Sequence, residues 1–208
     1  CTPSFTQSFN GSTGLITFNV QDTIAGRDLS IAVHDTGMGS ISGSSSQFEI
    51  LAGTPVKLQL LLPGQTSVPG DSGTGRQGTA LVQNAGVPFN VTVNYVDQYY
   101  NIVTTVTETV QLTSSASAGS ADLPDNTPLT KGSAILAVTE NLKTTPASPR
   151  RLTATLIGKE PAVFVMSDPF EVADTLPPQL VTFSINSGAQ YTTSQTVTLN
   201  INAYDSAE

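Results

Sequence analysis

Among the residue types that catalyse reactions or bind metals, this sequence has many Asp and Glu but only one His and one Cys. The chain has a single histidine, His34. A hydrolytic triad needs a base that a carboxylate orients and a nucleophile within hydrogen-bond reach. Successive strand residues point to opposite faces, so the neighbouring Asp35 cannot orient His34. We therefore predict an ordinary exposed histidine, no catalytic residues and no enzyme.

Clusters of Asp and Asn are the candidates for a metal site. Asp97 and Asn101 flank one turn, while Asp122 and Asp125 lie with Asn126 in DLPDNTP. Carboxylate and carbonyl oxygens are the ligands that Ca²⁺ prefers, yet no segment has the spacing D-x-[DN]-x-[DN]-G. Asp and Asn also form turns by bonding their own backbone. Turn formation is the favoured interpretation, and a calcium site is the alternative.

Three further features are candidates for binding or modification. The adjacent Tyr99 and Tyr100 could stack on a sugar or fill a pocket of a protein ligand, or else shield the end of a sheet. Asn10 and Asn90 each begin a glycosylation pattern, and Asn90 falls on an outward row of its strand. Cys1 is the only cysteine; it is lipid-modified, pairs with another chain, or marks where a fragment begins.

The glycine-rich stretch GDSGTGRQG, residues 70–78, resembles a phosphate-binding loop only in composition. It lacks G-x-x-x-x-G-K-[ST], and no helical pattern follows it. We predict a flexible connection between two strands.

Composition narrows the class of protein. The net charge is −8, and Lys and Arg total only 8. Nucleic acids and anionic membrane surfaces both require clustered basic residues, so neither is an expected partner. No apolar run approaches the roughly 20 residues of a membrane span. Low charge with abundant Ser, Thr, Gly, Val and Asn favours an extracellular β protein.

The sequence repeats itself. Phe48-Glu49-Ile50 aligns with Phe170-Glu171-Val172 at an offset of 122 (170 − 48), and Leu29 aligns with Leu152 at 123 (152 − 29). A unit of that length is close to the ~100 residues of an immunoglobulin-like sandwich. The pattern predicts the C-terminal half of one domain (1–51), a complete domain (52–173) and the N-terminal half of another (174–208).

Apolar residues alternate with polar ones in nearly every segment between Gly, Pro, Asn, Asp and Ser clusters. This period of two predicts strands with one packed face, and nothing longer than ten residues has helical period. Outside the complete domain we expect strands at 14–20, 28–35, 46–51, 179–186 and 195–204. The fold class is therefore all-β, with tandem immunoglobulin-like sandwiches.

AGVPFNVTVNYVDQYYNIVTTVTETVQLTSS (85–115) resembles bacterial Ig-like repeats of large cell-surface proteins, including the intimin and invasin type. These repeats join two strands by a D-x-x-x-N turn, here Asp97 to Asn101. SINSGAQYTTSQTVTLNINAYDSAE (184–208) is similar to the opening of a further such repeat. The family's turn usually has Gly before the Asn, where this chain has Tyr100. The resemblance implies an exported stalk, sheath or adhesin of a prokaryote.

These observations predict an extracellular structural protein that projects, links or coats. Its partners would be neighbouring Ig-like domains or other copies of itself, docked head to tail by strand complementation. The alternative is an adhesin or carbohydrate-binding module that uses the Tyr99–Tyr100 loop. No cofactor is expected beyond the calcium alternative.

Overall fold

The computed structural model describes residues 14, 16–17, 19–37, 41–175 and 177–205. Cys1 and Asn10 lie outside these residues. The all-β prediction is confirmed, since the described residues contain no α-helix and only one 3₁₀ turn, Asn186–Gly188. The strands are β1 Gly26–Leu29, β2 Ala32–His34, β3 Ser42–Ser44, β4 Phe48–Ile50, β5 Lys57–Leu61, β6 Gln65–Ser67, β7 Arg76–Gly78, β8 Gln83–Asn84, β9 Phe89–Val96, β10 Thr109–Ser114, β11 Ala121–Asp122, β12 Thr127–Pro128, β13 Ser133–Glu140, β14 Leu152–Leu156, β15 Phe164–Met166, β16 Val172–Ala173, β17 Gln179–Ile185 and β18 Leu199–Tyr204.

Two four-stranded sheets form the centre of the molecule. One has the order β11-β13-β9-β5 and the other the order β12-β10-β14-β15, with every neighbouring pair antiparallel. In the first sheet Val93 lies opposite Leu60, and Val91 opposite Leu136. Because directly opposed residues share a face, this register places the apolar rows of three strands side by side.

The apolar rows of the two sheets pack against each other as one core. Burying a large apolar side chain contributes about 1.5–3 kcal/mol. Val56 is an exception to the predicted row, because it precedes β5 and is 53% exposed. The buried cluster comprises Leu58, Leu60, Leu62, Ala85, Val91, Val93, Tyr95, Val110, Leu112, Leu129, Leu136, Val138, Leu152, Ala154, Leu156, Phe170 and Val172.

An ion pair lies at the margin of this core. Glu140 is fully buried, and its carboxylate is 2.9 Å from Nε of Arg150. The Ser114 hydroxyl donates to the same carboxylate at 2.6 Å. Burial raises the pKa of Glu140 and outweighs the opposing effects of Ser114 and Arg150. The pair therefore joins the end of β13 to the chain entering β14 at a cost in desolvation.

Smaller antiparallel sheets flank the sandwich. On the N-terminal side β1 pairs with β4 and β2 with β3, and on the C-terminal side β17 pairs with β18. The strand predicted at 28–35 is thus interrupted, and the described residues of 14–20 are not in a strand. The strands predicted at 46–51, 179–186 and 195–204 are present as β4, β17 and β18, each of them shorter and β17 by one residue only.

The N-terminal pairings repeat those at the end of the sandwich. Leu29 pairs with Phe48, and Arg150 pairs with Phe170. Leu29 therefore corresponds to Arg150, and the alignment of Leu29 with Leu152 is wrong by two residues. A shift of two residues along a strand leaves the side chains on the same face of the sheet. The next pairs obey the same relation: Ala32 with Ser44 and Thr153 with Met166.

The core cluster runs from Leu58 to Val172, inside the domain predicted at 52–173. The number of domains and the limits at 1–51 and 174–208 stay predictions. In the part of the chain that the structure describes, no helix is long and apolar enough to cross a membrane.

Candidate functional site

The D-x-x-x-N turn closes the end of β9 and is held by its own acidic residue. Asp97 and Asn101 are both almost completely buried. Oδ1 of Asp97 accepts the backbone N–H of Tyr99 at 2.8 Å and that of Asn101 at 3.0 Å. Oδ2 accepts the N–H of Gly53 at 2.9 Å and Nδ2 of Asn101 at 3.0 Å. One carboxylate thus fixes both the turn and the chain that leads into β5.

These donors determine the charge state of Asp97. Burial alone raises the pKa of a carboxyl group. The hydrogen bonds from Asn101, Gly53 and Tyr99 more than offset that effect, so the pKa of Asp97 lies below its usual value. The group is accordingly a stable anion at neutral pH.

Asn101 holds the chain that precedes β1. Its Nδ2 donates to the carbonyl oxygen of Thr23 at 2.8 Å, and its Oδ1 accepts the N–H of Ala25 at 2.9 Å. A side-chain amide has the same donor and acceptor as a peptide group. Asn101 therefore binds residues 23–25 as a neighbouring strand would. We call this arrangement of the turn and residues 23–25 the joint.

The glycine-rich loop forms the second side of the joint. The Thr23 hydroxyl donates to the carbonyl oxygen of Gly70 at 2.8 Å, and the Gly70 N–H donates to that of Tyr99 at 2.7 Å. Gly70 has φ +82°, and a Cβ there would overlap the side chain of Ile24. Only glycine lets residues 23–25 approach this closely.

Asp71 shapes the loop. Its carboxylate accepts the N–H of Gly73 at 3.0 Å and that of Gly75 at 2.7 Å, and these bonds lower its pKa. Asp71 is not among the residues predicted from the sequence, although Asp followed two residues later by Gly is a signal for a side-chain turn. Residues 70–78, predicted as a flexible connection, end in strand β7, which forms an antiparallel hairpin with β6 before them.

The loop also covers the outer face of the first sheet. Gln59 lies between two core residues of β5, so it points away from the core, yet it is only 1% exposed. Its Nε2 donates to the carbonyl oxygen of Gly75 at 2.6 Å, and its Oε1 accepts from Asn94 at 2.9 Å. Asn94 in turn accepts the Ser133 hydroxyl at 2.7 Å. A polar row across three strands thus anchors the loop.

The two tyrosines are half-buried rather than fully exposed. Nζ of Lys57 lies 3.5 Å from the centroid of the Tyr100 ring, and Gly75 packs directly against the same ring. Tyr100 has φ +61°, a conformation that glycine adopts without strain. This conformation is a physical reason for the glycine that the resembling family usually has at this position.

The calcium candidates fall in different places. Asp97 and Asn101 are bonded to each other, whereas Asp122 lies in β11 and accepts from Asn141 at 3.2 Å. Asp125 is exposed. A cation at Asp97 would have to displace N–H donors from both of its oxygens. Within the described ranges no three His, Cys, Asp or Glu side chains are grouped so that they could hold a metal ion.

The remaining candidates lie on open surface. His34 is exposed in β2, as predicted. Asn90 is exposed in β9, on the outward row that the sequence indicated. Its glycosylation stays a prediction.

A scan against protein-family models gives no match, and a search of curated proteins finds no significant relative. The similarity of residues 85–115 to bacterial Ig-like repeats therefore stays a prediction.

Proposed function

We propose that this chain is an extracellular structural protein, a component of a stalk, sheath or filament on a prokaryotic cell surface. Its work is to hold successive β modules in a fixed orientation. The composition supports an exterior location, because low charge and abundant Ser, Thr, Gly, Val and Asn are typical of secreted β proteins.

The observation that carries the proposal is the joint. Asn101 bonds both to Thr23 and to Ala25, while Gly70 bonds to Thr23 and packs on Ile24. A chain segment that is bonded to two separate loops is held more firmly than one that is attached only through a flexible linker, because each contact restricts rotation of the segment relative to the sandwich. A module held in this way transmits force along the chain instead of swivelling.

The joint can be tested by measuring how widely the two sides move. We would label Ser44→Cys in β3 and Gln111→Cys in β10 in a Cys1→Ser background and record the distance distribution by electron spin resonance. We expect a narrow distribution for the parent chain. Asn101→Ala removes both bonds to residues 23–25 and should broaden that distribution.

Asn90→Ala is the matched control, because it removes an amide from the exposed face of β9. Its distance distribution should equal that of the parent. An unchanged distribution in Asn101→Ala would contradict a rigid joint. Electron microscopy of the native material tests the wider proposal, which requires rods, fibres or a sheath outside the cell.

Head-to-tail strand complementation is part of this proposal, since a contact that does not close on itself builds a filament. The alternative adhesin role of Tyr99 and Tyr100 draws little support from the geometry. The ring of Tyr100 is already in contact with Lys57 and Gly75, so a ligand would have to compete with both.

A further inference from the structure

The hairpin of β17 and β18 has one apolar face that no described residue covers. Phe183 lies opposite Ile201, and Ile185 opposite Leu199. These side chains and Val181 are between 45% and 64% exposed. The opposite row is polar and consists of Thr182, Ser184, Asn200 and Asn202. The pairing is regular from Thr182 to Ile185 and irregular between Leu180 and Thr182. A two-stranded ribbon with one apolar face needs another element to pack against.

A second apolar surface, without a partner in the part of the chain that the structure describes, lies beside β1 and β4. It is a groove of ≈ 440 Å³ whose lining includes Ile24, Leu29, Ile31, Phe48 and Ile50. Ile31 is 41% exposed and Phe48 is 39% exposed. An apolar concave surface of this size is a typical docking site.

The central sandwich shows what such surfaces bind. There the row Leu58, Leu60 and Leu62 shares one core with Leu152 and Phe170. Strand β5, which carries most of that row, packs across the sandwich against β14 and β15. The first strand of the sandwich thus covers apolar residues of two strands near its C-terminal end.

The apolar face of β17–β18 corresponds to the row on β5, and the groove beside β1 and β4 corresponds to residues that this row packs against. Residues 58, 60 and 62 correspond to Val181, Phe183 and Ile185 at a constant offset of 123 (181 − 58). Phe170 corresponds to Phe48 through their equivalent pairings. Phe170 is 3% exposed in the sandwich, against 39% for Phe48. The same pairings make Ile31, Val33 and Ile50 the counterparts of Leu152, Ala154 and Val172.

From this correspondence we propose that the apolar face of β17–β18 in one copy docks along β2, the counterpart of β14, and into the adjoining groove beside β1 and β4 of a second copy. The inference rests on the proposed structural role and specifies its partner. Docking rebuilds across two chains the packing that β5 makes within one. A second copy is the occupant because residues 181–185 present apolar side chains at the spacing of residues 58–62.

The resulting contact is heterologous, since the tail of each copy meets the head of the next. Such a contact leaves one tail and one head free at the ends and continues into a linear assembly unless it closes into a ring. Open strand edges on both surfaces add main-chain hydrogen bonds to the apolar packing.

Two blocking variants and their mixture test the proposal. Phe183→Asp places a charge on the tail face, and Ile31→Asp places one in the groove. Each full chain would be sized by light scattering from low to high micromolar concentration, the range of weak specific contacts, with reductant present so that Cys1 cannot cross-link. We expect the parent chain to form a concentration-dependent series of oligomers and each variant to remain a monomer.

Mixing the two variants is the decisive measurement. Each variant retains one intact surface, so an equimolar mixture should yield dimers and nothing larger. Thr182→Asp, on the polar face of β17, should oligomerise as the parent does. The central sandwich should unfold at the same denaturant concentration in all variants, because none of the substituted residues belongs to its core.

A parent chain that stays monomeric throughout would overturn the inference, as would a mixture without dimers or a Thr182→Asp variant that fails to assemble. None of these results would affect the spin-label test of the joint, which reports on a single chain. The failure of head-to-tail docking and the failure of the rigid joint, which carries the proposed structural role, are therefore distinguishable.

Discussion

Asn101 accepts the backbone N–H of Ala25 at 2.9 Å although 76 positions separate the two residues. The same amide donates to Thr23, and its own position is fixed by Asp97. A turn that closes a strand of the central sandwich is thereby the place where the preceding chain is held. The stability of that turn and the orientation of residues 23–25 are consequently linked.

Asp97→Asn should destabilise the chain by about 1.5–3 kcal/mol at neutral pH, the range for hydrogen bonds to a charged group. The new amide would turn a donor toward the N–H of Gly53 or toward the Asn101 side chain, where the carboxylate accepts. Urea unfolding measures the loss. The exposed Asp125→Asn should change the free energy of unfolding by less than about 0.5 kcal/mol.

The comparison of wild type with Asp97→Asn predicts a pH dependence. The pKa of Asp97 is below its usual value of 3.8, so the folded state favours the anion more than the unfolded state does. Its contribution is fully present above the unfolded pKa and is lost as pH falls through the folded pKa. The difference in stability between the two proteins should therefore be constant near neutrality and shrink once the pH falls below that usual value. A difference that grows on acidification would contradict the assignment.

Arg150→Ala should destabilise the chain by about 3–5 kcal/mol at neutral pH, because it leaves the buried carboxylate of Glu140 without a counter-charge. Since the pKa of Glu140 is raised, Glu140 in the folded state stays protonated at a higher pH than an ordinary Glu does. Stability from this group falls as pH rises through that raised pKa. The loss caused by Arg150→Ala should accordingly be smaller at about pH 4 than at pH 7.

Lys159→Ala is the matched control for that prediction. Lys159 pairs with Glu108 at 3.0 Å, but both side chains are partly exposed. Exposed pairs contribute about 0–1 kcal/mol, so thermal or urea unfolding should detect little change. Equal losses in the two variants would show that burial of Glu140 does not matter.

The core could be predicted from sequence because a strand has only two faces. The alternation in β9 placed Val91, Val93 and Tyr95 together, and all three are buried. Val56 broke the pattern because periodicity does not mark where a strand begins. The interruption between β1 and β2 was missed for the same reason, since DLSIAVHDT alternates without a break.

The site was only partly predictable. A D-x-x-x-N pattern indicates a turn because the side-chain bonds are local, and the structure has that turn. The bonds from Asn101 to Thr23 and Ala25 join residues far apart in the chain, and no spacing rule encodes them. The packing of Gly75 against Tyr100 likewise depends on the tertiary fold, which brings the two residues together, and not on a local sequence pattern.

The alternative role of the two tyrosines gives a direct binding test. Replacing Tyr99 and Tyr100 together by Ala should leave binding to a glycan array unchanged from the parent chain, because a structural protein needs no sugar site there. The unfolding midpoint should fall, since the contacts of Tyr100 with Lys57 and Gly75 are lost. Specific glycan binding by the parent that the double variant lacks would favour the adhesin interpretation.

The close approach of Gly75 to Tyr100 predicts a contrast between two glycines. Gly75 and Gly119 have φ +68° and +80°, so Ala at either position costs about 1–2 kcal/mol of backbone strain. A Cβ at Gly119 meets nothing within 4 Å, whereas one at Gly75 overlaps the ring of Tyr100. Gly75→Ala should therefore destabilise the chain by about 1–3 kcal/mol more than Gly119→Ala in urea unfolding, the usual cost of overpacking.

A double-mutant cycle separates the overlap from the strain. In a Tyr100→Ala background the ring is absent, so the loss caused by Gly75→Ala should fall to that of Gly119→Ala. The coupling arises because Gly75 sits in the loop that Gln59 anchors to the sheet, and Tyr100 sits in the turn that Asp97 fixes. Independent effects of the two substitutions would mean that the contact between Gly75 and Tyr100 does not couple loop and turn, which would leave the Gly70 bonds to Thr23 and Tyr99 as their connection.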